Sequence, residues 1–247
     1  MFTIRIAELV VGIENRYRFV EKLCRDYICD CPPLFTVRAT EEDIDREGEM
    51  IRGEAPEGKG LPRGYLESIV LYREIAKRLP EYDAFVFHGV ALSLPDGAYL
   101  FTAKSGVGKT THTRLWLSQY PDVCHVLNGD KPIIREIDGV PFVFGTPWQG
   151  KENYGTNESA PLRAIAFVHR AEHNRAERVK DPSSVILPLL SQAYVPQSKE
   201  ATLKVFAIAD HILKNTKLFH LYVNMEKEAA EVAYRVMTGE NQTGEAL

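Results

Sequence analysis

The sequence predicts an α/β protein with a mixed sheet, divided into an N-terminal α/β subdomain over residues 1–80 and a core over residues 81–247. Two observations lead there. Residues Ala98 to Thr102 read as an apolar strand that runs into a glycine-rich loop, and a helical pattern follows from Lys109 to about Gln119. Beyond it, short strands joined by hairpins alternate with strands joined by helices, so parallel and antiparallel pairs must share one sheet.

The elements follow in order. Phe2, Ile4 and Ile6 alternate with polar residues, as a half-buried strand does. Residues 15–28 place Phe19, Val20, Leu23 and Tyr27 at helical spacing, and Phe35, Val37 and Ala39 alternate again. An acidic stretch, Glu41 to Glu49, leads into residues 48–64, whose five glycines and two prolines predict a mobile loop or a hairpin with long ends. Leu66, Ile69, Val70 and Ile75 mark a helix that Pro80 stops. Ala84 to Val90 reads as one continuous apolar strand, and the turn Pro95-Asp96-Gly97 leads to the strand before the loop. Val123 to Leu127 is a short strand ending at Asn128-Gly129-Asp130, and Asp138-Gly139 joins Ile133–Glu136 to Val140–Phe144 as a hairpin. Leu162 to His169 and Phe219 to Val223 are further strands; residues 183–194, 199–214 and 226–237 are helical.

Composition narrows the class. With 45% apolar and 26% charged residues in 247, the chain can bury a sizeable core. Its net charge of −4 lacks the basic footprint of a nucleic-acid binder. No apolar run approaches the roughly 20 residues that span a bilayer, and Arg5 and Glu8 interrupt the first apolar segment, unlike a signal peptide. A cytoplasmic protein is expected. Cys24, Cys29, Cys31 and Cys124 are few enough to read as reduced, and Cys29-Asp30-Cys31 has no second ligand pair to make it a zinc site.

Residues Ala103-Lys104-Ser105-Gly106-Val107-Gly108-Lys109-Thr110 follow the pattern G-x-x-x-x-G-K-[ST] (the P-loop) except at its first position. Gly106 and Gly108 let the backbone curl so that successive N–H groups converge on phosphate oxygens. The helix that starts near Lys109 adds the positive end of its dipole. Lys109 supplies a full charge, and the Thr110 hydroxyl is a magnesium ligand. Ser105, Gly106, Val107, Gly108, Lys109, Thr110 and Thr111 are therefore the candidate binding set for a nucleoside triphosphate.

Phosphoryl transfer also needs an acidic partner on a neighbouring strand end. Asp130, 20 residues beyond Thr110, is the candidate for both metal ligation and catalysis. His88, at the end of the preceding apolar strand, is placed to reach the terminal phosphate or the acceptor hydroxyl, or to be an ordinary strand-end histidine. The loop Gly145–Glu152 carries an exposed-prone Trp148, a Lys151 suited to stabilising charge on the transferred group, and a Glu152 suited to a metal or the acceptor. Its bland reading is a Lys151–Glu152 surface pair with Trp148 as an anchor. His112 and Arg114 are weaker candidates, expected to face solvent.

The order His-Gly, strand, Ser-Gly-x-Gly-Lys-Thr-Thr, strand, Gly-Asp resembles the HPr kinase/phosphorylase and phosphoenolpyruvate carboxykinase group of P-loop proteins, over about residues 84–152. The resemblance implies a bent mixed sheet around the loop, a phosphoenolpyruvate carboxykinase-like core, and ATP with magnesium or manganese. It also implies a kinase acting on a hydroxyl of a small molecule or peptide, and possible homo-oligomers. Two positions depart from the pattern. Ala103 replaces the first glycine of the loop, and Gly129 replaces the first of two adjacent aspartates. The single carboxylate leaves a second reading open: a nucleotide-sensing protein with a peptide or protein partner and little transfer. Whether Asp130 or His88 is the base also stays open.

Overall fold

The structure is a computed structural model that describes residues 1–54, 60–103 and 107–239. Its N-terminal part is a three-stranded sheet covered by helices. Strand β1 (Phe2–Ile6) pairs antiparallel with β2 (Leu9–Glu14), and β3 (Phe35–Arg38) lies parallel to β2. The alternation noted at Phe2, Ile4 and Ile6 therefore continues across a two-residue turn at Ala7-Glu8, both with positive φ, into a strand the sequence left unassigned. Helix α1 (Arg18–Leu23) is shorter than its apolar period suggests and gives way to a 3₁₀ turn over Arg25–Tyr27.

The acidic stretch is not a loop. It is helix α2 (Glu41–Glu54), which buries Ile44 and the Glu47 carboxylate, the latter against Arg73. Of residues 48–64, the described ones form no hairpin: 48–54 end α2, Arg63 begins helix α3 (Arg63–Arg78), and residues 55–59 lie outside the described residues. Glycines mislead here because helix capping and packing outweigh their weak intrinsic cost. Along α3, Leu66, Val70, Leu71 and Ile75 face the sheet. Glu67 on the same helix is fully buried and accepts the backbone N–H groups of Arg16 and Tyr17 at 2.6 and 2.9 Å, fixing the entry to α1.

The second sheet has nine of the described strands and curls around its longest member, β10 (Ser159–Arg170). The first half of β10 pairs with β9 (Val140–Phe144), which continues through β8 (Ile133–Ile137) to β4 (Ala84–Val86), all antiparallel. Its second half lies parallel to β6 (Gly97–Thr102) on one side and to β12 (Lys217–Val223) on the other. Strands β5 (Val90–Leu94) and β7 (His125–Asn128) extend the β6 side, and β11 (Arg175–Arg178) extends β12. The register slips between Leu162 and Ala164, and this bulge is where the sheet bends.

Ala84–Val90 is thus two strands, not one. β4 and β5 pair with different neighbours, and Phe87-His88-Gly89 crosses between them. Helix α4 (Lys109–Gln119) packs against α7 (Glu228–Thr238) on one face of the sheet. On the other face, α5 (Ile186–Leu190) and α6 (Lys199–Asn215) cover an apolar layer of Phe85, Leu100, Ile165 and Leu218. The helix expected over 183–194 is therefore only a 3₁₀ turn and the single short α5. The core under the first sheet also takes in Ile133, Phe144 and Trp148, so both sheets share apolar contacts. Among the described residues no helix is long and apolar enough to cross a membrane.

Gly97 shows how tightly the bend is packed. Its φ is +146°, and a Cβ there would lie 2.4 Å from the Pro161 carbonyl oxygen of β10. Gly97→Ala should cost about 3 kcal/mol, read as a lower urea midpoint at unchanged m-value; a midpoint equal to wild type would show that the bend can relax.

Candidate active site

Strand β6 ends at Thr102, and α4 begins seven residues later, with Gly108 at its N-cap in a left-handed conformation (φ +117°). Among the described residues, a Cβ at Gly108 would meet nothing within 4 Å. Ser105 and Gly106, two members of the expected binding set, lie outside the described residues. The Val107 carbonyl accepts a hydrogen bond from Arg170 Nε at 3.0 Å, which ties the loop to the end of β10. Thr110 is exposed and Thr111 half-buried on the first turn of α4.

Lys109 is half-buried and donates to the Ala103 carbonyl at 2.9 Å. Burial lowers its pKa, and the nearby Asp130 carboxylate acts in the opposite direction. His88 Nε2 lies 3.5 Å from Asp130 Oδ1. Burial first, then the Lys109 charge, lowers the His88 pKa; Asp130 opposes this, and the imidazole is neutral at pH 7. Lys109, His88 and Asp130 are therefore brought together electrostatically, as the sequence order suggested.

The backbone explains the convergence. His88 and Gly89 donate to the carbonyls of Gln192 and Asp130 at 2.7 and 2.9 Å, and the His88 carbonyl accepts from Thr102 Oγ1 at 3.2 Å. The crossing segment is thus clamped between the segment after α5 and the end of β7, next to the glycine loop.

Asn128, which the sequence suggested only as a turn residue, organises the other wall. It is fully buried. Its Oδ1 accepts from the backbone N–H groups of Asp130 and Lys131 at 2.9 and 2.7 Å. Its Nδ2 donates to Thr146 Oγ1 at 2.9 Å and to the Thr146 and Trp148 carbonyls at 3.2 and 3.3 Å. One amide therefore fixes both Asp130 and the loop after β9. The same packing crowds Gly129: a Cβ there would lie 3.0 Å from the Gln149 carbonyl oxygen and 3.2 Å from that of Tyr154, so a second aspartate needs that backbone to give by a few tenths of an ångström. Gly150, at φ +76°, lets the loop close on Asp130, whose Cβ would be 2.9 Å from a Cβ at 150.

The remaining candidates divide. Trp148 is buried rather than exposed: it stacks on Tyr72 at 4.0 Å between centroids, and its Nε1 donates to the Ser68 carbonyl at 3.0 Å. Glu152 pairs with Arg114 at 2.7 Å, not with Lys151, and would have to leave that arginine to bind a metal. Lys151 is exposed on the rim of a separate cavity between α2 and α3. His112 does not face solvent. Its side chain is buried on the inner face of α4 and accepts from Trp116 Nε1 at 2.9 Å, and its Nδ1 has no partner among the described residues.

Two cavities meet at this site. One, of about 710 Å³, is lined by Thr102, Ala103, Val107, His169, Arg170 and His220, at the carboxyl ends of the parallel strands. The other, of about 300 Å³, lies between α3 and the crossing segment and is lined by His88, Tyr72, Arg73, Lys131 and Trp148. Ser191 and Gln192 line both. Of these, sequence reasoning had found only His88, Ala103, Val107 and Trp148. Gln192, His169 and Tyr72 come from distant segments with no motif of their own.

Among known proteins, no family model and no curated sequence matches this chain. Of solved structures, the HPr(Ser) kinase/phosphatase from Coxiella burnetii overlaps it with a TM-score of 0.34 and 6% identity, over 62% of this chain and 94% of that one. An overlap this low carries no argument about activity. The site must be read from its own chemistry.

Two outcomes check this geometry. Asn128→Ala strands two buried N–H groups and should cost about 2–4 kcal/mol; an unchanged urea midpoint would contradict the network. Burial depresses the His112 pKa to about 4. Since the unfolded chain takes up that proton near pH 6.5, stability is held above pH 6.5 and lost as pH falls towards 4, by about 3 kcal/mol. His112→Gln should flatten that acid limb of the melting temperature.

Proposed function

We propose that this chain is an ATP-dependent kinase that transfers the γ-phosphoryl group to a hydroxyl. The observation that carries the reading is the meeting of Lys109, Asp130 and His88 at the N-terminus of α4, where Gly108 takes a left-handed conformation. Among the described residues, half-buried Lys109 has only the Ala103 carbonyl at hydrogen-bond distance, which suits its charge to a phosphate. The α4 N-terminus adds backbone N–H groups and a favourable dipole. The larger cavity beside the loop has room for the rest of a nucleotide.

Among the described residues no three His, Cys, Asp or Glu side chains cluster as a metal site. Magnesium on a nucleotide does not require that, because it commonly takes one or two protein oxygens and completes its shell with phosphates and water. The Thr110 hydroxyl and the Asp130 carboxylate suit that donor set, with Glu152 held by Arg114 and Lys151 aside on the rim. When bound, the ion neutralises charge on the phosphates. The protein's own groups do the rest. Lys109 holds the phosphate chain, and Asp130 or neutral His88 orients the acceptor and takes its proton. The nucleotide-sensing reading rests on the single carboxylate at Asp130 and predicts tight ATP binding with negligible turnover.

With purified protein, labelled ATP, magnesium and a cell extract, an acceptor should become labelled. Lys109→Ala should reduce labelling about 100-fold or more, and Asp130→Asn by at least as much. If the imidazole is the base, activity falls as pH drops through the depressed His88 pKa, below 6.5, and His88→Gln abolishes that limb. ATP binding without any labelled acceptor would favour the sensing protein.

A further inference from the structure

The smaller cavity has a chemical character of its own. Its floor is the stacked pair Tyr72 and Trp148, and one wall is the crossing segment that carries His88. Its lining includes two cations, Lys131 and Arg73, and no carboxylate. Lys131 makes no ion pair among the described residues, and its charge is felt at His88. Its backbone is held rigidly: the N–H donates to Asn128, and the carbonyl accepts from Tyr72 Oη at 2.7 Å and Thr146 Oγ1 at 3.0 Å. Arg73 pairs through one nitrogen with the buried Glu47 carboxylate, which anchors the guanidinium at the cavity wall.

We infer that this cavity binds the phosphoryl acceptor, and that the acceptor is a small hydroxy acid. The inference rests on the kinase reading and adds the substrate class. An ammonium on a firmly held backbone, with no ion pair among the described residues and in a cleft lined by no carboxylate, selects an anion, because any like-charged or neutral occupant leaves that cation uncompensated. The volume of about 300 Å³, at about 30 Å³ per water-sized group, holds on the order of ten non-hydrogen atoms. That suits a small molecule rather than a folded domain. With its carboxylate on Lys131 and its hydroxyl towards His88 and Asp130, the acceptor oxygen faces the phosphate end of the nucleotide. In the transfer, the hydroxyl oxygen forms a bond to the γ-phosphorus, the bond from that phosphorus to the β–γ bridging oxygen breaks, and the hydroxyl proton passes to Asp130 or His88. The products are ADP and a phosphorylated hydroxy acid.

The test measures ADP release by the full chain with ATP and magnesium in three arms. The first holds free hydroxycarboxylates of ten or fewer heavy atoms (glycerate, lactate, malate, hydroxylated amino acids). The second holds their amides and the parent alcohols. The third holds peptides that carry the same hydroxyl with both ends blocked. At least one member of the first arm should raise the rate tenfold or more, and none of the other two should. Lys131→Met should raise the KM for that acid tenfold or more with kcat changed less than threefold, and Lys131→Arg should restore most of the loss. Acceleration by alcohols or blocked peptides but not by acids overturns this inference and leaves the kinase reading standing. So does an acid that accelerates with KM unmoved in Lys131→Met. No acceptor-dependent turnover in any arm overturns the inference, and an inability to bind ATP overturns the kinase reading with it.

Discussion

A single buried amide holds this site in place. Asn128 closes β7, receives the N–H groups of the next turn, and donates into the loop that follows β9. In a low-dielectric interior each of those groups would be costly to leave unmatched. Satisfying them with one side chain allows only one relative placement of the two loops. The position of Asp130 follows from it, and so does the contact of Gly150 against Asp130. Through the Lys131 carbonyl and Tyr72, the same network reaches α3 in the N-terminal part of the chain.

Around that fixed frame the charges are arranged in advance. Lys109 and Lys131 flank a neutral His88, and one carboxylate stands between them. The excess is cationic although the whole chain carries a net charge of −4. A locally positive pocket in an acidic protein favours an anionic ligand without attracting polyanions at large. The lone Asp130 fits the packing: the backbone of Gln149 and Tyr154 crowds the space a side chain at 129 would need.

Much of the core was legible in the sequence. Strand β6, helix α4, the Asp138-Gly139 hairpin and helix α6 carry strong local signals, and each forms where the pattern places it. The failures have physical causes. Ala84 to Val90 is uniformly apolar, so nothing in it announces that the chain changes partners at His88; only the hydrogen bonds to Gln192 and Asp130 do. Helix α2 buries so few apolar residues that its composition resembles a loop. Strand β11 reads Arg-Ala-Glu-Arg and exists because the β12 edge was there to pair with. Lys109, Asp130 and His88 were visible because their motif is local. Gln192, His169 and Tyr72 were not, because distant segments meet only in the folded chain.

Strand β10 has one further effect, on how the chain is made. Its second half needs β12, about 50 residues later, as a parallel neighbour, and such non-local pairings form slowly. At about 5–20 residues per second, synthesis leaves that edge uncovered for roughly 3–10 s after β10 has emerged. An apolar, unpaired strand edge exposed for seconds is a site where nascent chains can pair with one another. The yield of native protein should therefore respond to translation speed between residues 170 and 217 and to the supply of chaperones that shield open edges.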